Sequence, residues 1–222
     1  MRQNIRDLAV IVNETLPLAG PIYKFGAFQV PDQIHFADLR PLFPGREYVG
    51  CDMREGVGVD KILDLHAIDL PSESVGSVLC FDTLEHVEYP GKSLEELHRI
   101  LEPSGIVVIS SVMNFPIHDH PHDYWRFTPE AFRSILKPFA SSFVGFQGDA
   151  LFPHTVIGVG FKGQPAPLDE FRRRYERWRA ADYWSPRQIV TRITPPVALP
   201  VVTALYGLAR SVRRSRSVVS VL

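Results

Sequence analysis

Cysteine is scarce. The 222-residue chain has two, Cys51 and Cys80. Each falls inside an apolar, strand-like run, which argues against a disulfide-stapled fold and for two buried thiols in a reducing compartment. The first residues, MRQNIRDLAV, hold no long apolar segment, so no signal peptide is expected. The apolar part of the tail, within residues 193–209, is broken by Pro195, Pro196 and Pro200 and is too short to span a bilayer. The turn pattern G-x-G-x-x-G is absent, which disfavours a nicotinamide-dependent reductase. Net charge is also nearly missing, at −1, but its parts are uneven: residues 1–162 sum to −8 and residues 163–222 to +7. An acidic body is a poor surface for nucleic acid, so no nucleic-acid partner is expected, and body and tail face different partners.

What is present is an apolar content of 45%, enough for one α/β core. Residues 3–16 have the pattern of a helix. Strands are expected over 21–26, 46–52, 59–65, 75–82 and 106–112, several of them continuous apolar runs suited to a sheet buried on both faces. Between the last two, GKSLEELHRIL (91–101) spaces Leu94, Leu97, Ile100 and Leu101 on one helical face, and Pro103 and Gly105 are expected to stop it. A further helix over 128–139 would start at Thr128 as N-cap with Pro129 next. Residues 143–149 and 154–163 form a closing β pair. Strands alternating with helices imply a doubly wound α/β sheet, whose ligands bind at strand carboxyl ends. Gly26, Asp52, Asp64 and Asp82 all sit at such ends.

The segments YVGCD, DLHAIDLP, VGSVLCFDTLEHV and SLEELHRILEPSGIVVIS, in this order and spacing, resemble the core of class I S-adenosylmethionine-dependent methyltransferases, of the type 11-like kind. The resemblance covers about residues 20–162. It implies a seven-stranded, mostly parallel, Rossmann-like sheet over residues 1–163, with 164–222 a basic and apolar C-terminal extension. It implies S-adenosylmethionine as cofactor. Asp52 would accept hydrogen bonds from both ribose hydroxyls, as an acceptor-only carboxylate can, with Met53 beside it. Asp64 and Leu65 would border the adenine, with Asp69 as the alternative acid in a segment longer than in many relatives. Phe81 and Asp82 would line the cleft. At the first turn the family has an acid and then Gly-x-Gly-x-Gly; here YKFGAF keeps only Gly26, followed by Ala27, and Lys24 stands near the usual acid.

Two constellations carry the chemistry. In LEHV, Glu85 and His86 follow the fourth expected strand. His86 would serve as a general base; or Asp82, Glu85 and His86 would hold a divalent ion, as the related E-x-x-E-H turn does in some relatives; or the pair caps a turn. A metal is not favoured, because Asp82 is one methylene shorter than glutamate. The second constellation is NFPIHDHPHDYWRFTPEAF (114–132). His118, His120 and His122 alternate with Asp119 and Asp123, and Tyr124, Trp125 and Arg126 follow. The stretch would bind the acceptor, with His120 and His122 open to a catalytic part and His118, Asp123, Tyr124, Trp125 and Arg126 holding a sugar ring or an anionic group. A metal-binding loop and a plain surface loop are the alternatives. DYWRFTP resembles a segment of methyltransferases of surface-glycan pathways, which implies O-methylation of a sugar or a glycan or lipid-linked precursor. Methylation of another small metabolite, or a non-catalytic membrane-surface module, are the other readings. The expected location is the cytoplasm, with a peripheral contact at the inner membrane face through arginines 210, 213, 214 and 216; a packed tail or a dimer contact is the alternative.

Overall fold

The computed structural model describes residues 1–118 and 122–181. Its core is a seven-stranded sheet in the order β3-β2-β1-β4-β5-β7-β6. The strands are β1 (Ile22–Phe25), β2 (Tyr48–Asp52), β3 (Lys61–Ile62), β4 (Val75–Phe81), β5 (Leu101–Val112), β6 (Ser141–Gly148) and β7 (Pro153–Phe161). β1 to β5 pair in parallel, whereas β7 runs antiparallel to both β5 and β6. Every residue of β4 is buried, which explains its largely apolar pattern. The helices are α1 (Gln3–Thr15), α2 (Pro90–Ile100), α3 (Pro129–Ile135) and α4 (Asp169–Ala180). None of the described helices is long and apolar enough to cross a membrane.

Most expected elements appear within a residue or two. The strand expected over 59–65 shrinks to Lys61–Ile62, an edge pair with both residues exposed. The helix expected to include Leu101 ends at Ile100. Leu101 already pairs with Val75, and the register shifts before Ser77 pairs with Ile106, so Pro103-Ser104-Gly105 is a bulge inside β5 rather than a loop before it. Thr128 does cap α3, its hydroxyl accepting from the Ala131 N–H at 3.1 Å, but that helix stops at Ile135 rather than 139.

The stretch after residue 163, expected as a C-terminal extension, contains α4, and α4 lies within the compact unit Met1–Ala181. Its buried Phe171, Tyr175 and Trp178 lie on one face. Trp178 Nε1 donates to the Asn4 carbonyl on α1 at 2.8 Å, and Asn4 Nδ2 donates to Gln147 Oε1 on β6 at 2.9 Å. Gln147 Nε2 returns to the Trp178 carbonyl at 2.7 Å, which closes a fully buried polar ring. Tyr175 Oη accepts from the Phe146 N–H at 2.9 Å and donates to the Phe146 carbonyl at 3.0 Å. Its ring fits because Gly145 has no side chain: a Cβ there would lie 2.6 Å from it. The tail expectation for 193–222 falls outside the described residues.

Trp178→Ala is expected to lower the unfolding free energy by about 3 kcal/mol or more, measured by urea denaturation. A chain ending after Gly163 should lose its cooperative melt, while one ending after Ala181 should keep it.

Candidate active site

The direction of winding reverses between β1 and β4, the strand pair above which an open α/β sheet leaves a crevice. A cavity of about 390 Å³ lies there, its walls including Lys24, Gly26, Asp52, Phe81, Asp82 and His86. The pairing levels these residues. Phe25 is opposite Cys51 on one side and Cys80 on the other, so Gly26 is flanked by Asp52 and Phe81. Gly26 turns the chain out of β1 at φ +71°, and a Cβ there would collide with the Thr83 hydroxyl and lie 3.0 Å from its methyl. Phe28, bulky for a cofactor turn, also lines the cavity, with the Arg54 guanidinium 4.4 Å from its ring centroid.

The charges in the cavity are largely engaged. Asp52 is buried and accepts from the Phe28 N–H at 3.2 Å, the Arg54 N–H at 3.2 Å and Arg54 Nε at 3.3 Å. Asp82 has a left-handed backbone, φ +45°, a conformation that non-glycine residues adopt at a cost. Its carboxylate takes Arg2 Nε and Nη2, each at 2.9 Å, and the Ser110 hydroxyl at 3.0 Å. Burial would raise its pKa, but Arg2 and Ser110 hold it below the ordinary carboxylate range. Arg2 Nη1 continues to Thr155 Oγ1 at 2.8 Å.

LEHV forms a single 3₁₀ turn, Leu84–His86, with Leu84 and Glu85 both fully buried. Burial, reinforced by the charge of Asp82, pushes the Glu85 pKa well above the carboxylate range. Its Oε2 accepts from the Ser111 hydroxyl at 2.6 Å, while Oε1 has no hydrogen-bond partner. His86 Nδ1 lies 2.5 Å from the His122 carbonyl oxygen, and the His86 and His118 rings meet edge-on with centroids 4.8 Å apart. Glu85, His86 and His118 bring one ligand atom each within 4.8 Å of one another. Asp82 is not in that group. Arg2 and Ser110 occupy the aspartate of the alternative ligand set Asp82, Glu85 and His86, and His118 lies beside the other two.

Tyr124 and Trp125 are fastened to the turn. The Tyr124 and Trp125 N–H groups donate to the Glu85 carbonyl at 2.8 and 3.2 Å, and Trp125 Nε1 donates to the Val87 carbonyl at 3.0 Å. Both rings remain nearly half exposed and stand outside the cavity wall. Arg126 does not offer a free fork to an anion. It clamps both Asp123 oxygens at 2.5 and 2.7 Å and donates to the Phe115 and Pro116 carbonyls. Asp123 also accepts the His118 N–H at 2.8 Å; Arg126 above all holds its carboxyl far below the ordinary range. Thus Asp123 and Arg126 shape the loop that carries His118 into the cavity. His122 is exposed and outside the cavity wall, and His120 lies outside the described residues.

Other expected contacts are absent from the cavity. Asp64 is exposed and caps its own turn, accepting from the His66 N–H at 2.8 Å, and Leu65 belongs to the hydrophobic core. Ala27 is buried with its N–H on the Cys51 carbonyl at 2.9 Å, and Met53 points to solvent. In their place the cavity contains Arg2 and Arg54, which no motif marked, and Lys24, which was visible only as a departure from the first-turn pattern.

Residues 45–109 match the family model of a methyltransferase domain. No curated protein sequence matches the chain. Among solved structures, the chain is similar to the Burkholderia thailandensis 1,6-didemethyltoxoflavin N1-methyltransferase, solved with 1,6-didemethyltoxoflavin and S-adenosylhomocysteine bound: 17% identity, 73% of this chain and 79% of that one, TM-score 0.54. It is also similar to a SAM-dependent methyltransferase from Archaeoglobus fulgidus: 16% identity, 71% and 94% coverage, TM-score 0.54. The chain therefore has the Rossmann-like fold of these solved methyltransferases, and part of its sheet matches the methyltransferase-domain model.

Gly26→Ala is expected to destabilise the protein by roughly 1–2 kcal/mol, from the left-handed backbone alone. The Thr83 collision adds to this, and denaturant titration measures the sum.

Proposed function

We propose that the chain transfers a methyl group from S-adenosylmethionine to a hydroxyl oxygen of a sugar or a glycan or lipid-linked precursor. The observation that carries this reading is the placing of Asp52 and His86 in one cavity above β1. Asp52 is an acceptor-only group suited to the two ribose hydroxyls. When bound, S-adenosylmethionine supplies an electrophilic methyl on a sulfonium centre. The Gly26 turn lets the backbone approach the ligand, and Phe81 walls the cavity beside it. His86 takes the proton of the acceptor hydroxyl. The His122 carbonyl at 2.5 Å accepts from Nδ1–H, which leaves Nε2 as the basic nitrogen. The half-exposed faces of Tyr124 and Trp125, hydrogen-bonded onto the LEHV turn, support a sugar-like acceptor, since such rings are apolar in body and polar in rim.

A second reading draws on the same residues. Glu85, His86 and His118 would hold a divalent ion, a donor set of one carboxylate oxygen and two imidazole nitrogens that suits zinc or manganese. The unpartnered, buried Oε1 of Glu85 favours this reading. The buried thiols Cys51 and Cys80, both free, fit a cytoplasmic location. The basic tail would touch anionic lipid at the inner membrane face.

Asp52→Ala should weaken binding of S-adenosylhomocysteine by about 1–3 kcal/mol in calorimetry, and unchanged affinity in the folded variant would remove Asp52 from the site. Screening the protein with S-adenosylmethionine against nucleotide sugars and glycolipids, with mass detection of product, tests the acceptor. His86→Ala should cut turnover by roughly 10²–10⁴-fold. A chelator that leaves wild-type turnover intact supports the base, and one that abolishes it supports the ion.

A further inference from the structure

β1 is four residues long and wholly buried, and one of the four is a lysine. Lys24 is 4% exposed. An ammonium has three N–H donors and strongly prefers water or a counter-charge. Here Nζ donates to the Gly26 carbonyl, a short link at the end of its own strand. Among the described residues Lys24 makes no ion pair. The cavity's two aspartates are committed elsewhere, Asp82 to Arg2 and Asp52 to Arg54. Burial accordingly pulls its pKa down to about 8, against the attraction of Cys80, Asp52 and Asp82. A charge left this bare inside a protein costs several kcal/mol unless something anionic joins it.

The position says what would join it. Lys24 stands in the cavity wall on the strand between β2 and β4, opposite Gly50 and Leu79, and its side chain reaches up to the Gly26 turn. A ligand whose ribose rests on Asp52 and whose reacting end points to His86 must cross the end of β1, directly over Lys24. We infer that Lys24 receives the α-carboxylate of the amino-acid arm of the methyl donor and so selects for ligands that carry it. The inference rests on the methyl-donor reading above. It assigns Lys24 the work of a positioning and specificity residue: the ammonium gains its missing counter-charge when the donor binds, and the carboxylate anchors the arm that holds the sulfur.

The test is calorimetry on the full chain with three probes. S-adenosylhomocysteine has the carboxylate, its decarboxylated analogue lacks only that group, and 5′-methylthioadenosine lacks the whole arm. The wild-type protein should prefer S-adenosylhomocysteine over the decarboxylated analogue by roughly 10- to 100-fold, the worth of a charged hydrogen bond. Lys24→Met should bring those two affinities together and leave 5′-methylthioadenosine unchanged, while Lys24→Arg should keep part of the preference. Equal wild-type affinity for S-adenosylhomocysteine and its decarboxylated analogue overturns the assignment without any variant, and so does a Lys24→Met protein that keeps the full preference. If none of the three probes binds, the methyl-donor reading itself fails and takes this inference with it.

Discussion

β1 is hydrogen-bonded on both sides to parallel strands, β2 and β4, and the site depends on that placement. Parallel neighbours point their carboxyl ends the same way, so Gly26, Asp52 and Phe81 emerge level with one another. The connections from β1 and β4 then depart in opposite directions, and the crevice they leave cannot be filled by either. The tight turn at Gly26 preserves the opening, because its missing side chain lets Thr83 of the β4 exit close against the backbone. A residue with a Cβ would have to push one strand end away from the other, and the level arrangement of the cavity wall would go with it.

The cavity gathers charge in a place where charge is costly, and pairing decides which groups remain available. Arg2 and Ser110 neutralise and orient Asp82, whose backbone is itself strained. Asp52 is occupied by backbone and Arg54 donors. Glu85 takes the opposite course: deep burial beside Asp82 favours its neutral form. Among the described residues Lys24 makes no ion pair with a carboxylate. The pattern differs from a structural ion-pair network, in which each charge would find its partner within the fold.

Local backbone bonding brings the two chemical segments together. The Glu85 carbonyl accepts two N–H groups from residues 124 and 125, and the Trp125 indole ties to the carbonyl of Val87. These bonds need no particular side chain on the turn, and His86 and His118 meet nearby with ring centroids 4.8 Å apart. The Asp123–Arg126 clamp performs the complementary task within the loop, folding Phe115 to His118 back toward the cavity. A residue chosen for charge in the sequence thus acts on geometry in the fold.

The sequence by itself determined most of the strands and the doubly wound α/β class. Continuous apolar runs, the Leu94-Leu97-Ile100 face and the Thr128-Pro129 start are local signals, and local signals survive into the folded chain because burial and capping act on neighbours in sequence. The same holds for Gly26, Asp52, Phe81 and Asp82, whose strand-end positions were legible from the pattern. What the tertiary structure decided depends on contacts between distant residues. The edge position of β3 carried Asp64 away from the cavity. The partnership of α4 with Asn4 and Gln147 brought residues 169–180 into the compact unit. Arg2 reached Asp82 across 80 positions, and His118 came within reach of Glu85 and His86. Composition and spacing record which groups a chain owns; only folding brings two of them to hydrogen-bonding distance and so decides which is engaged and which is left for a ligand.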